Sequence, residues 1–218
     1  MKTITVHGTG HASAKPNRIQ ISFTLVHRSH SYEKVMNEAN TQIGLLRDIL
    51  LTQDFAEDAL RTTDFSVDSK YEWQKKFPSD ESHRTFVGFE CTHQLSLIFP
   101  LDMPRLSRLI SAIAESGALP EFEVEFLLGN DQALRDEALR TATKEAKHKA
   151  EILCIAAGGK LGSIQSIHYG FDDEVVVSHT DFDCKPMIGC AADTSFDPGM
   201  SPDDVIVDED VTFIWEIV

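Results

Sequence analysis

The sequence lacks a hydrophobic run long enough to cross a membrane. A spanning helix needs about 20 predominantly apolar residues in succession, and no segment of the 218-residue chain approaches that length. The N-terminal residues also lack the apolar stretch of about 7 to 15 residues that marks a secretory signal. We therefore expect a cytoplasmic protein without a membrane span.

Basic residues are also scarce. The chain has 20 Lys and Arg against 35 Asp and Glu, which gives a formal net charge of −15. The segment 171–210 alone contains twelve acidic residues and one lysine, Lys185, a net charge of −11. Because phosphate backbones and anionic lipids attract basic surfaces, this balance disfavours nucleic acid and membrane surfaces as partners.

Only four cysteines occur, and none belongs to a Cys-x-x-Cys pair. Cys91 and Cys154 fall at apolar positions of a predicted strand and a predicted helix, where a free thiol packs as a small hydrophobic group. Cys184 and Cys190 are close enough in sequence to pair under oxidation. A reducing cytoplasm keeps thiols free, so we expect no disulfide framework.

A complete nucleotide-binding loop is missing as well. The stretch ITVHGTGHASAKP has a short apolar strand followed by Gly8 and Gly10, but Ser13 stands where a dinucleotide loop has its third glycine. A strand follows Pro16, so no helix N-terminus is present there to hold a phosphate. The glycines instead predict a bulge or turn between two strands, where a positive φ or a close backbone approach is required.

The hydrophobic pattern switches repeatedly between the strand period and the helix period. Strands are predicted at 3–8, 18–27, 62–73, 84–99, 121–128, 163–170 and 205–218, and helices at 31–52, 102–117 and 130–157. The order ββαββαβαββ, in which strands also adjoin as hairpins, indicates an α+β fold. We expect a mainly antiparallel sheet with three helices packed on it.

The length suits a single domain that covers 1–218. Two sub-lobes are compatible with the pattern, one at about 1–75 with the C-terminal strands and one at about 84–160. The acidic segment 171–204 contains several prolines and glycines, and its composition predicts a loop insertion.

Four stretches together resemble the SIMPL-domain family. They are ITVHGTGHASAKPNRIQISFTL at 4–25, DFSVDSKYEW at 64–73, FVGFECTHQLSLIF at 86–99 and DQALRDEALRTATKEAKHKAEILCIAAGGKLGSI at 131–164. Their order and spacing cover nearly the whole chain. The segment 171–200 is unusually acidic for the family, and its stretch HTDFDCKP has no family counterpart. The resemblance implies no established chemistry and no set of catalytic residues. Some members are reported to form ring-like or channel-like oligomers, others are linked to oxidative-stress defence or signalling, and many are periplasmic.

The residues themselves show no catalytic constellation. No Gly-x-Ser-x-Gly elbow is present, and Cys190 and Ser195 have no base at an informative distance. Carboxylate pairs occur throughout an acidic chain and therefore do not identify a general acid–base pair. We expect a non-enzymatic protein with no catalytic residues and no cofactor.

The densest cluster of metal-binding residue types lies in the acidic segment. His179, Asp181, Asp183 and Cys184 are the candidate ligands, since an Asp-x-Asp pair suits a hard cation. A calcium loop would also need a glycine and a closing glutamate, and a solvated acidic loop explains the same residues. A metal-binding or redox-responsive protein that uses this loop is the alternative function.

The third predicted helix supplies the candidates for a protein interface. Alanines recur every four residues, and such small residues let a helix lie close to a sheet or to another helix. The opposite face is basic and could meet the acidic segment, within one chain or between copies. Packing on the chain's own sheet and a solvated helix face are the alternatives. We expect a homo-oligomer or a module for a protein partner, and the interface candidates are Arg140, Lys144, Lys147, Ala142 and Ala146.

Overall fold

The computed structural model describes residues 2–75, 82–116, 120–170, 176–184 and 201–218. It confirms an α+β fold with three helices and a mostly antiparallel sheet. No described helix combines the length and the apolar character needed to span a membrane. The elements are β1 (Thr3–Ala14), β2 (Arg18–Ser29), α1 (Tyr32–Thr52), β3 (Leu60–Lys75), β4 (Ser82–Pro100), α2 (Met103–Glu115), β5 (Glu121–Leu127), α3 (Gln132–Ala156), β6 (Leu161–Tyr169), β7 (Val177–Cys184) and β8 (Val205–Ile217).

The ten predicted elements occur in the predicted order, and β7 is an additional strand. It lies inside the segment 171–204, so the prediction of a loop is wrong for these eight residues. Ser178 is buried and His179 is exposed, which is the alternation of a half-buried strand. The prediction gave the acidic residues more weight than the β-branched residues at the start of β7, which favour strands.

The chain divides into two compact units. Unit 1 comprises residues 1–17, 126–180 and 202–218, and unit 2 comprises residues 18–125 and 181–201. The predicted sub-lobes, 1–75 with the C-terminal strands and 84–160, group the residues differently from these units. The difference reflects strand pairing, because β2 and β3 both pair with β4 in unit 2 whereas β1 pairs with β8 in unit 1.

In unit 2, β4 lies between β3 and β2 and is antiparallel to both. The apolar face of β2, formed by Ile19, Ile21, Phe23 and Leu25, is buried. α1 packs Val35 and Ala39 against Cys91 of β4. His93, also on the buried face of β4, bonds the hydroxyl of Thr62 at 2.9 Å. The N-terminus of α2 is capped by Asp102, whose carboxylate accepts a hydrogen bond from the Arg105 backbone N–H.

In unit 1, β8 is the central strand. β1 pairs antiparallel with it along its whole length, from Thr3 opposite Glu216 to Ala14 opposite Val205. On the other side β8 pairs with β6, and at Val205 with Ser178 of β7. α3 packs on one face of this sheet, where β8 contributes Val211, Phe213 and Trp215 to the core.

Candidate interaction surface on helix α3

β1 runs without a turn through Gly8 and Gly10, so the prediction of a turn or bulge is wrong there. Neither glycine has a positive φ. The alternative requirement, a close backbone approach, is what the structure shows. A Cβ added at Gly8 would lie less than 3.0 Å from the carbonyl oxygen of Ala142, and one at Gly10 would lie equally close to that of Ala138. The backbones of β1 and α3 therefore touch.

The alanine stripe of α3 faces this strand. Ala138, Ala142, Ala146 and Ala150 have no exposed surface, and the last three pack in one cluster with β8. Ala142 and Ala146 were candidates for an interface between chains, and this is corrected. They are part of the core of unit 1 because the glycines opposite them draw the helix onto its own sheet.

One flank of α3 closes the outer edge of β1. The Glu145 carboxylate accepts hydrogen bonds from the backbone N–H of Thr9 at 2.6 Å and from its hydroxyl at 3.1 Å. Lys149 pairs with Glu145 at 2.9 Å and also reaches the His7 carbonyl oxygen at 3.5 Å. The Thr9 N–H, together with Lys149, lowers the pKa of Glu145 to about 2. Side chains of α3 thus bind backbone groups that an edge strand would otherwise leave free.

The opposite flank of α3 holds a charged network. Arg135 bonds Asp131 at 2.8 Å and the carboxylate of Glu209 at 3.4 Å, and the Tyr169 hydroxyl donates to Glu209 at 3.0 Å. Glu209 is only 6% exposed. The hydrogen bond to Asp131 is the main reason that the pKa of Arg135 is raised, and burial followed by the Glu209 carboxylate raises the pKa of Tyr169. The network fixes the N-terminal part of α3 to β8 and β6.

The remaining basic residues of α3 face solvent. Among the described residues, Arg140 pairs with Glu137 and Lys147 with Glu151, each at 3.9 Å and between well-exposed side chains. Lys144 borders a shallow groove with Leu139 and Thr143. We call Arg140, Lys144 and Lys147 the basic row. All three predicted basic candidates are therefore exposed among the described residues.

An apolar strip lies beside the basic row. Ile164 and Ile167 of β6 stand opposite Trp215 and Phe213 of β8, so they point to the face that α3 occupies. Both are nevertheless 54% exposed. α3 lies over the paired strands β1 and β8, and this position leaves the neighbouring strand uncovered.

The other face of the same sheet carries acidic residues and histidines. His11 of β1 bonds Asp208, and His7 lies 3.4 Å from Asp210 and 3.1 Å from the Thr212 hydroxyl. The hydrogen bond and charge of Asp208 raise the pKa of His11. We call Asp208 and Asp210 with their two histidines the acidic face. Because residues of β8 alternate between faces, it lies on the side opposite the basic row.

The candidate metal ligands lie on or at the end of β7. His179 and Asp183 are four residues apart on one strand, which separates their Cα atoms by about 13 Å. That distance is too long for both to bind one ion directly. The side chains of Asp181 and Cys184, and all of Cys190 and Ser195, lie outside the described residues. Among the side chains that the structure describes, no group of three His, Cys, Asp or Glu is arranged to hold a metal.

Sequence reasoning missed the role of Glu209. The sequence analysis counted it only as one of the twelve acidic residues of the segment 171–210. The pattern VIVDEDV contains a usable signal, since Glu209 shares the period-two positions of Val207 and Val211 and therefore points into the core.

The sequence model of the SIMPL family, a protein of unknown function (DUF541), matches residues 4–215. The chain therefore belongs to the SIMPL family, as the four stretches indicate. Comparison with curated proteins finds no match. The family description carries no activity, so the function has to be argued from the surfaces described above.

Proposed function

We propose that this SIMPL-family chain is a non-enzymatic, self-associating interaction module, in which the basic row of one copy binds the acidic face of another. One observation supports this most directly. The basic row and the acidic face lie on opposite sides of the same sheet in unit 1. Asp208 and Asp210 therefore cannot meet the basic row of their own unit, whereas a second copy can bring them together.

Opposite faces imply a head-to-tail contact rather than a two-fold symmetric one. In such a heterologous interface each copy offers one surface to each of two neighbours, and the assembly is a closed ring or an open filament. In this arrangement the protein partner is a second copy of the chain, so the predicted homo-oligomer and the predicted protein partner use the same surfaces.

The energy of this contact depends on more than charge. An exposed ion pair contributes less than about 1 kcal/mol, so the two pairs that Asp208 and Asp210 can form would by themselves give a weak complex. The exposed Ile164 and Ile167 next to the basic row add apolar area that a neighbour can bury. The electrostatic part is screened by salt, with a Debye length of about 8 Å at physiological ionic strength.

The first experiment is the solution mass by light scattering, at low and at high salt. We expect an assembly that loosens in high salt. In the double variant Lys144→Glu, Lys147→Glu, repulsion replaces attraction at the interface, and we expect a mass near that of the 24.3 kDa monomer. Both positions are exposed, so the fold of the variant is retained.

The matched control is Lys15→Glu, Lys34→Glu, which makes the same change in net charge at two exposed lysines away from α3. This control should assemble as the parent chain does. A parent chain that is monomeric at low salt, or a Lys144, Lys147 variant with the mass of the parent, would contradict the proposal.

A further inference from the structure

The two outer strands of unit 1, β1 and β6, differ in whether other groups bind the backbone N–H and C=O groups of their outer edges. On β1, Glu145 and Lys149 occupy backbone groups of Thr9 and His7. On β6, no described strand other than β8 pairs with the backbone. The sequence of β6, LGSIQSIHY, also contains no charged residue and no proline, the two features that commonly protect an edge strand.

The register shows which backbone groups of β6 point outward. The N–H of Ile217 bonds the Lys2 carbonyl beyond β1, and the N–H of Val218 bonds the Lys160 carbonyl before β6. In an antiparallel sheet successive residues bond to opposite neighbours. The even residues of β8, among them Thr212 and Ile214, therefore bond toward β6.

Thr212 and Ile214 stand opposite His168 and Ser166. His168 and Ser166 consequently use their backbone groups on β8. Ile167 and Tyr169, which alternate with them, direct their N–H and C=O groups to the open edge. Four backbone groups are thus arranged to pair with an added strand.

α3 and β6 run side by side, with Arg135 and Tyr169 both bound to Glu209 at one end. Lys147 is twelve residues further along α3, about 18 Å, and Ile164 is five residues back along β6, about 17 Å. Lys147 is on the flank that faces β6, because it continues the row of Arg135 and Leu139 at four-residue spacing. Lys147 and Ile164 therefore lie at about the same distance from Glu209, with Ile164 at the far end of the apolar strip.

We infer that the open edge of β6 binds an extended peptide strand whose α3-facing side chains are apolar and acidic. The strand pairs with the backbone of Ile167 and Tyr169. Its apolar side chains rest on Ile164 and Ile167, and its carboxylate pairs with Lys147. This is strand addition to a sheet edge, in which the backbone gives affinity and alternate side chains give specificity.

This site shares Lys147, Ile164 and Ile167 with the basic side of the head-to-tail contact, but it needs no second copy and uses neither Asp208 nor Asp210. Peptide binding is therefore measured in the variant Asp208→Asn, Asp210→Asn, which removes the charges of the head-to-tail contact at two exposed positions and leaves β6 unchanged. The probe is a fluorescent, blocked peptide, Thr-Ile-Thr-Glu-Thr-Ile-Thr, which presents Ile, Glu and Ile on one face of a strand. Binding is measured by fluorescence anisotropy with protein up to about 1 mM, where even weak complexes are detected.

Three comparisons test the site. Replacing the peptide's Glu by Lys should weaken binding at least tenfold, and so should methylation of the backbone nitrogens that face β6. In the protein, Ile167→Lys should weaken binding at least tenfold. The matched variant Ile98→Lys changes an equally apolar side chain, 46% exposed, on β4 of unit 2, and should bind within twofold of the parent chain.

Several results would overturn the inference. The peptide could show no saturable binding, the methylated peptide could bind as tightly as the unmethylated one, or Ile167→Lys and Ile98→Lys could weaken binding equally. The two proposals fail separately. A parent chain that is monomeric while the Asp208→Asn, Asp210→Asn variant binds the peptide loses the head-to-tail contact and keeps the β6 site. A parent chain that assembles while this variant ignores the peptide does the reverse.

Discussion

The two flanks of α3 meet the same sheet in different ways. Toward β1 the helix touches the strand backbone to backbone, because Gly8 and Gly10 face alanines. Toward β6 it leaves Ile164 and Ile167 half exposed. The comparison shows that small residues do more than fill a core. By setting where the helix lies, they also determine which strand stays uncovered and open to a partner.

The largest expected effect comes from placing a larger side chain at Gly10, where the backbones of β1 and α3 touch. In Gly10→Val the new side chain would overlap backbone atoms of Ala138 and Ala142, which cannot move without shifting the helix. We expect the free energy of unfolding of unit 1 to fall by more than about 3 kcal/mol. Urea unfolding followed by Trp215 fluorescence measures it, in a Trp73→Phe background that removes the chain's other tryptophan.

Gly44 provides the control for this variant. It lies in α1, and nothing comes within 4 Å of an added Cβ. Gly44→Ala should therefore be neutral or stabilise the chain by up to about 1 kcal/mol. If Gly10→Val unfolded at the same urea concentration as the parent, the close contact between β1 and α3 would not exist in solution.

A smaller loss is expected when the charged network on the β6 flank is broken. Glu209→Ala removes the acceptor of Tyr169 and takes one carboxylate partner away from Arg135, which is 12% exposed. We expect a loss of about 2 kcal/mol, because a largely buried charge loses one of its partners. The same urea titration measures it.

The double variant Glu209→Leu, Arg135→Met separates charge from packing. Replacing both charges by apolar groups of similar size should recover most of the loss. A double variant that is as unstable as Glu209→Ala would show that the network contributes through geometry that apolar groups cannot replace.

The smallest effect concerns the edge of β1. Glu145→Ala frees the Thr9 N–H, and we expect this amide to exchange with solvent about fivefold faster while the rest of unit 1 is unchanged. The folded pKa of Glu145 is lowered from 4.5 to about 2. Its stabilising contribution is therefore complete above about pH 4.5 and is lost as the pH falls toward 2.

Hydrogen exchange read by NMR tests this prediction at single-residue level. Glu151→Ala is the matched control, since Glu151 lies on the same helix and forms only a long pair with Lys147. Equal protection of Thr9 in the parent and in Glu145→Ala would mean that α3 does not cap the edge.

Much of the fold follows from local periodicity. The four-residue spacing of Ala138, Ala142, Ala146 and Ala150 indicates a helix that packs closely, and the structure buries all four. The same spacing does not say which surface they pack on, because close packing on a sheet of the same chain and close packing on a second chain both require small side chains. Only the pairing of β1 with β8 places Gly8 and Gly10 under this helix.

The candidate site was less accessible from the sequence for the same reason. Exposed basic residues on α3 are evident from helical spacing, and the structure leaves Arg140, Lys144 and Lys147 on the surface. The exposure of Ile164 and Ile167 is not evident, since an apolar residue in a strand normally indicates burial. It depends on how far α3 reaches across the sheet, which is a tertiary property.

The capped edge of β1 also limits how a β-sheet of this kind can grow. A sheet with two free edges can accept a strand on one side and offer a new edge on the other, and repetition of that step leads to fibres. Here Glu145 and Lys149 occupy the Thr9 N–H and the His7 C=O on one side. Among the described strands of unit 1, strand addition is therefore favoured at β6 over β1, and growth of the sheet in both directions is disfavoured.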